Sequence, residues 1–252
     1  MHKDMIFDIG MYNAADTEFY LQKGFRVVAV EANPALCAEG ASRLASYISD
    51  KRLTILNCGI SDTSGINIFH INLDRSDRSS FLAKWCALDR KAVIKVDCVR
   101  LDEILEAYGT PYYLKVDIEH LDHVCIDALE RRRQLPAYVS METKQVSFVH
   151  RMSALGYSRF KVVSQVWNQA VRLPCPPLEG LYVDERFTAF HSGPFGNETY
   201  GDWFTKEQAL DEIEKVRGKN YLGSRHRLMG CPEEIFVSSW YDVHAARDLV
   251  DC

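Results

Sequence analysis

Acidic residues recur in this chain directly after short apolar runs. Asp8 follows Met5-Ile6-Phe7 and stands two residues before Gly10, and Glu31 follows Val27-Val28-Ala29-Val30. Asp117 and Glu119 follow the run ending at Val116, Glu142 follows Val139-Ser140-Met141, and Asp62 comes soon after the run 53–57. Carboxylates so placed can accept hydroxyl hydrogens, balance a cationic ligand or take up a proton. Histidines are the other proton-handling groups: His120, His123, His191 and His244. An alcohol acting as nucleophile needs a base, and imidazole titrates closest to neutrality. His120, beside Asp117 and Glu119, is the first candidate and His191 the second. Arg225-His226-Arg227 could clamp a substrate carboxylate or phosphate, or could equally be a solvated basic turn.

These residues form one site only if the apolar runs are parallel strands. Strands are expected at 5–7, 25–30, 53–57, 112–116, 137–141 and 160–163, with extended pieces at 66–71 and 93–98. Helices are expected between them: 16–23, closed by Gly24; one begun by Asn33-Pro34 and carrying Leu36, Ala41, Leu44 and Ile48; then 101–105, 122–131 and 145–155. Asp16 is a plausible cap for the first. Short connections between alternating strands and helices require parallel pairing, and ligands then bind at the carboxyl ends of the strands. Beyond Val166 the alternation fails at Pro174, Pro176 and Pro177. Phe187 to Phe190 is expected as the last strand, followed by a glycine-rich turn, a polar helix over 206–215 and an aromatic tail. The expected fold is α/β, a doubly wound and mostly parallel sheet. Residues 1–190 read as its core and 191–252 as a C-terminal loop-and-helix extension covering it.

A formal charge of -5 argues against a nucleic-acid partner, which demands concentrated positive charge. Arg131-Arg132-Arg133 reads as the solvated end of a helix. No apolar run reaches membrane-spanning length, and none of the eight cysteines forms a C-x-x-C pair, which points to a reducing cytoplasm without a membrane partner. The oligomeric state is not legible.

Glu31 lies about 20 residues beyond the glycine turn, the spacing at which a carboxylate accepts both hydroxyls of a ribose. A dinucleotide would need a glycine-rich turn to seat its pyrophosphate, but Gly10-Met11-Tyr12-Asn13-Ala14 has one glycine, a bulky tyrosine and Asp8 beside it. S-adenosylmethionine carries an ammonium and a sulfonium, and acidic strand ends suit it. An oxidoreductase using a nicotinamide cofactor is therefore disfavoured. Asp62 could meet the adenine amino group or cap the turn 61–65. Carboxylates at Asp117 and Glu119 raise the question of a hard metal ion. No second cluster is clearly spaced to complete a shell, so no metal ligands are assigned.

Phe7-Asp8-Ile9-Gly10, Val28-Ala29-Val30-Glu31-Ala32-Asn33-Pro34, Gly59-Ile60-Ser61-Asp62, Leu101-Asp102-Glu103-Ile104-Leu105 and Leu114-Lys115-Val116-Asp117-Ile118-Glu119 occur in an order and spacing that resembles the FkbM-type family of S-adenosylmethionine-dependent methyltransferases. The resemblance covers roughly residues 5–142. It implies a class I methyltransferase core acting on a hydroxyl, less often a nitrogen or carboxylate, of a small acceptor. Asp8 and Gly10 would line the methionine part, Glu31 the ribose, and Ser61 and Asp62 the adenine edge, with Tyr12, Ala32 and Asp117 also on the cofactor. Asp117 and Glu119 would face the methyl, with Glu142 toward the substrate. The family usually has asparagine where Tyr12 stands, glycine at Ala14, and glycine then glutamate where this chain has His120 and Asp122. A protein of this fold that binds the cofactor without transferring its methyl is the alternative.

Overall fold

The structure, a computed structural model, describes residues 1–86, 90–188, 190–217, 224–226, 235–237 and 240–248. Its elements are β1 (His2–Ile9), α1 (Ala15–Gln22), β2 (Arg26–Glu31), α2 (Pro34–Arg43), α3 (Ala45–Ser49), β3 (Leu53–Asn57), β4 (Gly59–Ile60), β5 (Gly65–Asn72) and β6 (Lys91–Val99). Then come α4 (Leu101–Tyr108), β7 (Pro111–Val116), α5 (His123–Glu130), β8 (Tyr138–Glu142), α6 (Val146–Ala154), β9 (Arg159–Ser164), α7 (Lys206–Arg217), β10 (Ser224–His226), β11 (Ile235–Val237) and β12 (Tyr241–Ala246).

Seven strands form the central sheet in the order β3-β2-β1-β7-β8-β12-β9. The first five run parallel, while β12 is antiparallel to both β8 and β9. The chain builds outward from β1 through β2 to β3, then returns to lay β7 on the other side of β1. That reversal is the switch point of a doubly wound α/β fold, where neighbouring loops diverge and leave a crevice. Strand residues alternate between two cores, as the pleat requires. Phe7, Ile9, Val28, Leu114 and Val139 pack on one face with α4 to α7, whereas Ile6, Ala29, Tyr113 and Tyr138 pack on the other with α1, Phe187 and Phe195. The pieces expected at 66–71 and 93–98 are β5 and β6, paired antiparallel in a separate three-stranded sheet with β4.

Three local expectations change. Phe187 and Thr188 are not in a strand, and the last strand of the sheet is β12. The segment expected as cover therefore contributes to the sheet itself, and residue 190 does not bound the core. The helix expected from Pro34 through Ile48 is two helices, because Leu44 leaves helical backbone (φ -104°, ψ 24°). Asn33 caps α2 as expected, accepting from the Ala35 N–H at 3.0 Å. Asp16 does not cap α1; Asn13 instead accepts from the Ala15 N–H, and the Asp16 carboxylate turns elsewhere. No helix among the described residues is long and apolar enough to cross a membrane.

Candidate active site

The carboxyl ends of β1, β2, β7 and β8 open into a cavity of about 740 Å³, a size usual for small-ligand sites. Gly10 lines it in left-handed backbone (φ 89°), and a Cβ there would stand 1.8 Å from the Asp117 carbonyl oxygen. Only glycine permits this approach of the β1 and β7 tips. Asp8 is fully buried and is not in the lining. It accepts from Thr17 Oγ1 at 2.6 Å and from Lys115 Nζ at 3.0 Å. Lys115 also donates to the Gly10 carbonyl at 3.1 Å and lies 3.5 Å from Asp16. Burial works to discharge Lys115, but Asp8 and Asp16 outweigh it and raise its pKa. Asp16 lines the cavity and accepts the Ser192 N–H on both oxygens, at 2.9 and 3.1 Å. Burial raises its own pKa.

Glu31 lines the cavity, as does Ala32. Each Glu31 carboxylate oxygen accepts one backbone N–H at 2.8 Å, from Tyr12 and from Asn33. Each oxygen keeps acceptor capacity for a further hydroxyl. Burial pushes its pKa up to about 7 against the pull of those two N–H groups. Tyr12 lines the cavity in left-handed backbone (φ 50°), and Ala14 is left-handed too (φ 59°). Those are the two positions where the family usually carries asparagine and glycine, residues that tolerate this conformation more cheaply. Ser61 and Asp62 lie beyond β4 and outside the lining among the described residues; Asp62 accepts from Ser61 and Thr63. Cys58, Gly59 and Ile60 hold that wall instead, with Phe81 close over Gly59.

At the opposite end Asp117, Glu119 and Glu142 converge, one oxygen from each lying within 4.8 Å of the others. Their turn is held by the Ile118 N–H donating to Asp122 at 3.0 Å and by Ser80 donating to the Glu119 carbonyl at 3.1 Å. Glu119 and His120 are left-handed (φ 49° and 77°), a conformation that glycine adopts at less cost. Glu119 is half-buried and Glu142 exposed at the cavity mouth; partial loss of solvent, then Asp117 and further acids, raise the pKa of both. Burial raises Asp117 as well. Asp242 stands opposite Glu142 in the β8–β12 pairing, is 5% exposed, and is pushed to about 8 by burial and then by Asp117.

His120 is exposed and outside the lining, its Nε2 3.7 Å from Glu119; burial and then Lys84 lower its pKa. His191 does line the cavity. Its Nδ1 accepts the Thr188 N–H at 3.1 Å, so the neutral ring carries its proton on Nε2 and presents a donor there. His123 opens α5, and His244 is buried within β12. Arg225 and His226 lie in β10, and Arg227 lies outside the described residues. The fold brings in Lys115, Asp16, Gln165, Ser192 and Asp242, none of which was a sequence candidate. Lys115 had a signal, a charge in the middle of an apolar strand, which calls for a buried partner.

The family described as Methyltransferase FkbM domain matches residues 8–159, more than half of the chain. No curated protein matches. Among solved structures, an FkbM methyltransferase from Methylobacillus flagellatus is 16% identical with a TM-score of 0.37, over 55% of this chain and 32% of that one. The chain thus spans about a third of that protein's length. A precorrin-6y C5,15-methyltransferase from Geobacter metallireducens is 11% identical with a TM-score of 0.41, over 97% and 80% of the two chains. A Podospora anserina methyltransferase bound to S-adenosylhomocysteine is 10% identical with a TM-score of 0.34, over 97% and 72%. These likenesses are remote, and the assignment rests on the domain match with its strand-tip motifs: the chain belongs to the FkbM methyltransferase domain family.

Proposed function

We propose that the cavity binds S-adenosylmethionine and directs its methyl group to a hydroxyl of a small metabolite. The observation carrying this reading is Glu31, held on the cavity wall by one N–H per oxygen with lone pairs left for two ribose hydroxyls. The donor set fits the cofactor: Glu31, Asp16, Asp117, Glu119, Glu142 and Asp242 line the space, matched by Lys115, which Asp8 and Asp16 already engage, and by Arg75 and Arg78. A cationic ligand suits that balance and a pyrophosphate does not.

When bound, S-adenosylmethionine would supply a methyl carbon on a sulfonium, with the sulfur keeping the bonding pair as leaving group to the acceptor oxygen. Gly10 and the Lys115–Asp8 pair shape the turn beneath the methionine part, and Glu31 fixes the ribose. Orientation of the acceptor against the methyl then supplies much of the acceleration. The hydroxyl proton needs a destination. His120 stands outside the lining and His191 presents an N–H, so the proposed acceptor of that proton is Asp242, buried beside Glu142.

Calorimetry tests the cofactor assignment. Saturable S-adenosylmethionine binding is expected, and Glu31→Ala is expected to weaken it by about 1.5–3 kcal/mol through lost charge-assisted hydrogen bonds. Because Glu31 holds its proton up to about pH 7, the gap between wild type and variant should widen as pH rises through that value. A folded variant with unchanged affinity would remove Glu31 from the ribose.

A further inference from the structure

Strand β9 ends beside the start of β12, with Ser164 against Tyr241. Gln165 follows at once, and its N–H donates to the Trp240 carbonyl at 3.0 Å. Its backbone is thereby pinned two residues from Asp242. Gln165 and Asp242 are both buried, and the Gln165 side chain hydrogen-bonds the Asp242 carboxylate. Asn168, fully buried in the turn that follows, donates through Nδ2 to Gln165 Oε1 and, at 3.3 Å, to the His191 carbonyl. Gly193 closes its other side, where a Cβ would stand 2.6 Å from Oδ1.

These contacts set the orientation of two amides in series. A backbone carbonyl can only accept, so the edge that Asn168 turns to His191 is its NH₂ group. The same group reaches Gln165 Oε1, which commits that oxygen and turns the Gln165 NH₂ toward Asp242. A donor beside a carboxylate favours its charged form. The other neighbours pull both ways: burial and then Asp117 hold the proton on Asp242, Gln165 and Lys115 work to release it, and Asp16 opposes them. Glu142 faces it across the β8–β12 pairing, and Tyr113 and Tyr200 are near enough to feel its charge. Lys115 is engaged by Asp8 and Asp16, which leaves Gln165 as the direct donor.

We propose that Gln165 is a positioning residue: held the right way round by Asn168, it fixes Asp242 and keeps it ready to accept the acceptor's hydroxyl proton. In that step the proton passes from the acceptor oxygen to an Asp242 oxygen, and Gln165 touches neither the acceptor nor the cofactor. The inference rests on reading the cavity as a methyl-transfer site with Asp242 as proton acceptor.

Infrared spectra of the full chain recorded across pH test it, with the protonated-carboxyl band of Asp242 assigned by its loss in Asp242→Asn. Gln165→Met keeps the length of the side chain and removes the donor. Its Asp242 midpoint should rise by about 1 pH unit, a ~10-fold gain in proton affinity. Asn168→Ala frees the Gln165 amide to turn over and should move the midpoint the same way by less. That variant decides the question if Gln165→Met does not fold. A packing role alone gives the opposite sign, because water entering beside Asp242 lowers the midpoint. A midpoint lowered or unmoved in the folded variants, whatever their melting temperatures, overturns the proposal. Calorimetry of the wild type with S-adenosylmethionine separates the two readings. Cofactor binding with an unmoved midpoint removes the role of Gln165 alone, whereas a raised midpoint without cofactor binding keeps the Gln165–Asp242 pairing and removes the methyl-transfer reading.

Discussion

Asp8 and Glu31 look alike in the sequence, each a carboxylate at a strand tip, yet the fold gives them different work. Glu31 faces the cavity with acceptor capacity remaining, whereas Asp8 is fully buried and holds Thr17 and Lys115. Asp8→Asn should therefore act first on stability. Breaking a buried pair costs about 3–5 kcal/mol when the remaining charge is uncompensated; with Asp16 still 3.5 Å from Lys115, about 2–3 kcal/mol is expected here. Urea unfolding reads the loss, and calorimetry should find cofactor affinity reduced by less. Wild-type stability with collapsed affinity would return Asp8 to the cavity. The place of Glu31 on the cavity wall was legible because its spacing from Gly10 encodes a distance across two adjacent parallel strands. The Asp8 contact was not, because its partner Lys115 is 107 residues away and reaches it only through the β1–β7 pairing.

At the level of elements, what was readable was whatever local periodicity encodes. The parallel strands, the helices between them and the Asn33 cap all lie near their expected positions. Strand β12 was missed because Tyr-Asp-Val-His-Ala-Ala alternates polar with apolar residues and does not form an apolar run. In the sheet, Val243 and Ala245 enter one core while Asp242 and His244 are buried toward the other face. The convergence of Glu142 on Asp117 and Glu119 was equally invisible, since strand order decides it. Where β1 meets β7, Gly10 carries both a positive φ and a close backbone approach, and the two demands can be separated. Gly156 has the same φ of 89° but nothing within 4 Å of an added Cβ. Gly156→Ala should cost about 1–2 kcal/mol, the left-handed penalty. Gly10→Ala adds a 1.8 Å clash with the Asp117 carbonyl and should exceed about 4 kcal/mol or fail to fold. Thermal melts followed by circular dichroism compare them, and equal losses would mean that the β1 and β7 tips can part without penalty.

Across the whole molecule, the cavity wall depends on a stretch that carries no regular strand. Residues 178–188 and 190–198 run back over α1 and bring His191 and Ser192 to the cavity, where the Ser192 N–H meets Asp16. The far end of this strap is latched by Glu198, which accepts Lys23 Nζ at 2.7 Å with both side chains fully buried, and also accepts the Leu178 and Glu179 N–H groups. Leu181 closes the loop by donating its N–H to the Lys23 carbonyl at 2.8 Å. An ion pair with no solvent contact is a poor source of net stability but a strong constraint, because either charge alone is costly to bury. Glu198→Gln should thus lose about 3–5 kcal/mol by stranding the Lys23 ammonium. Lys23→Met should also destabilise, and the double variant should be much more stable than the sum of the two losses predicts. If the strap transmits this latch to the cavity, amide exchange at Ser192 should accelerate in Glu198→Gln and recover in the double variant. Additive losses with Ser192 protection unchanged would show that the wall is held by Asp16 alone, and that the buried pair serves only the core beneath it.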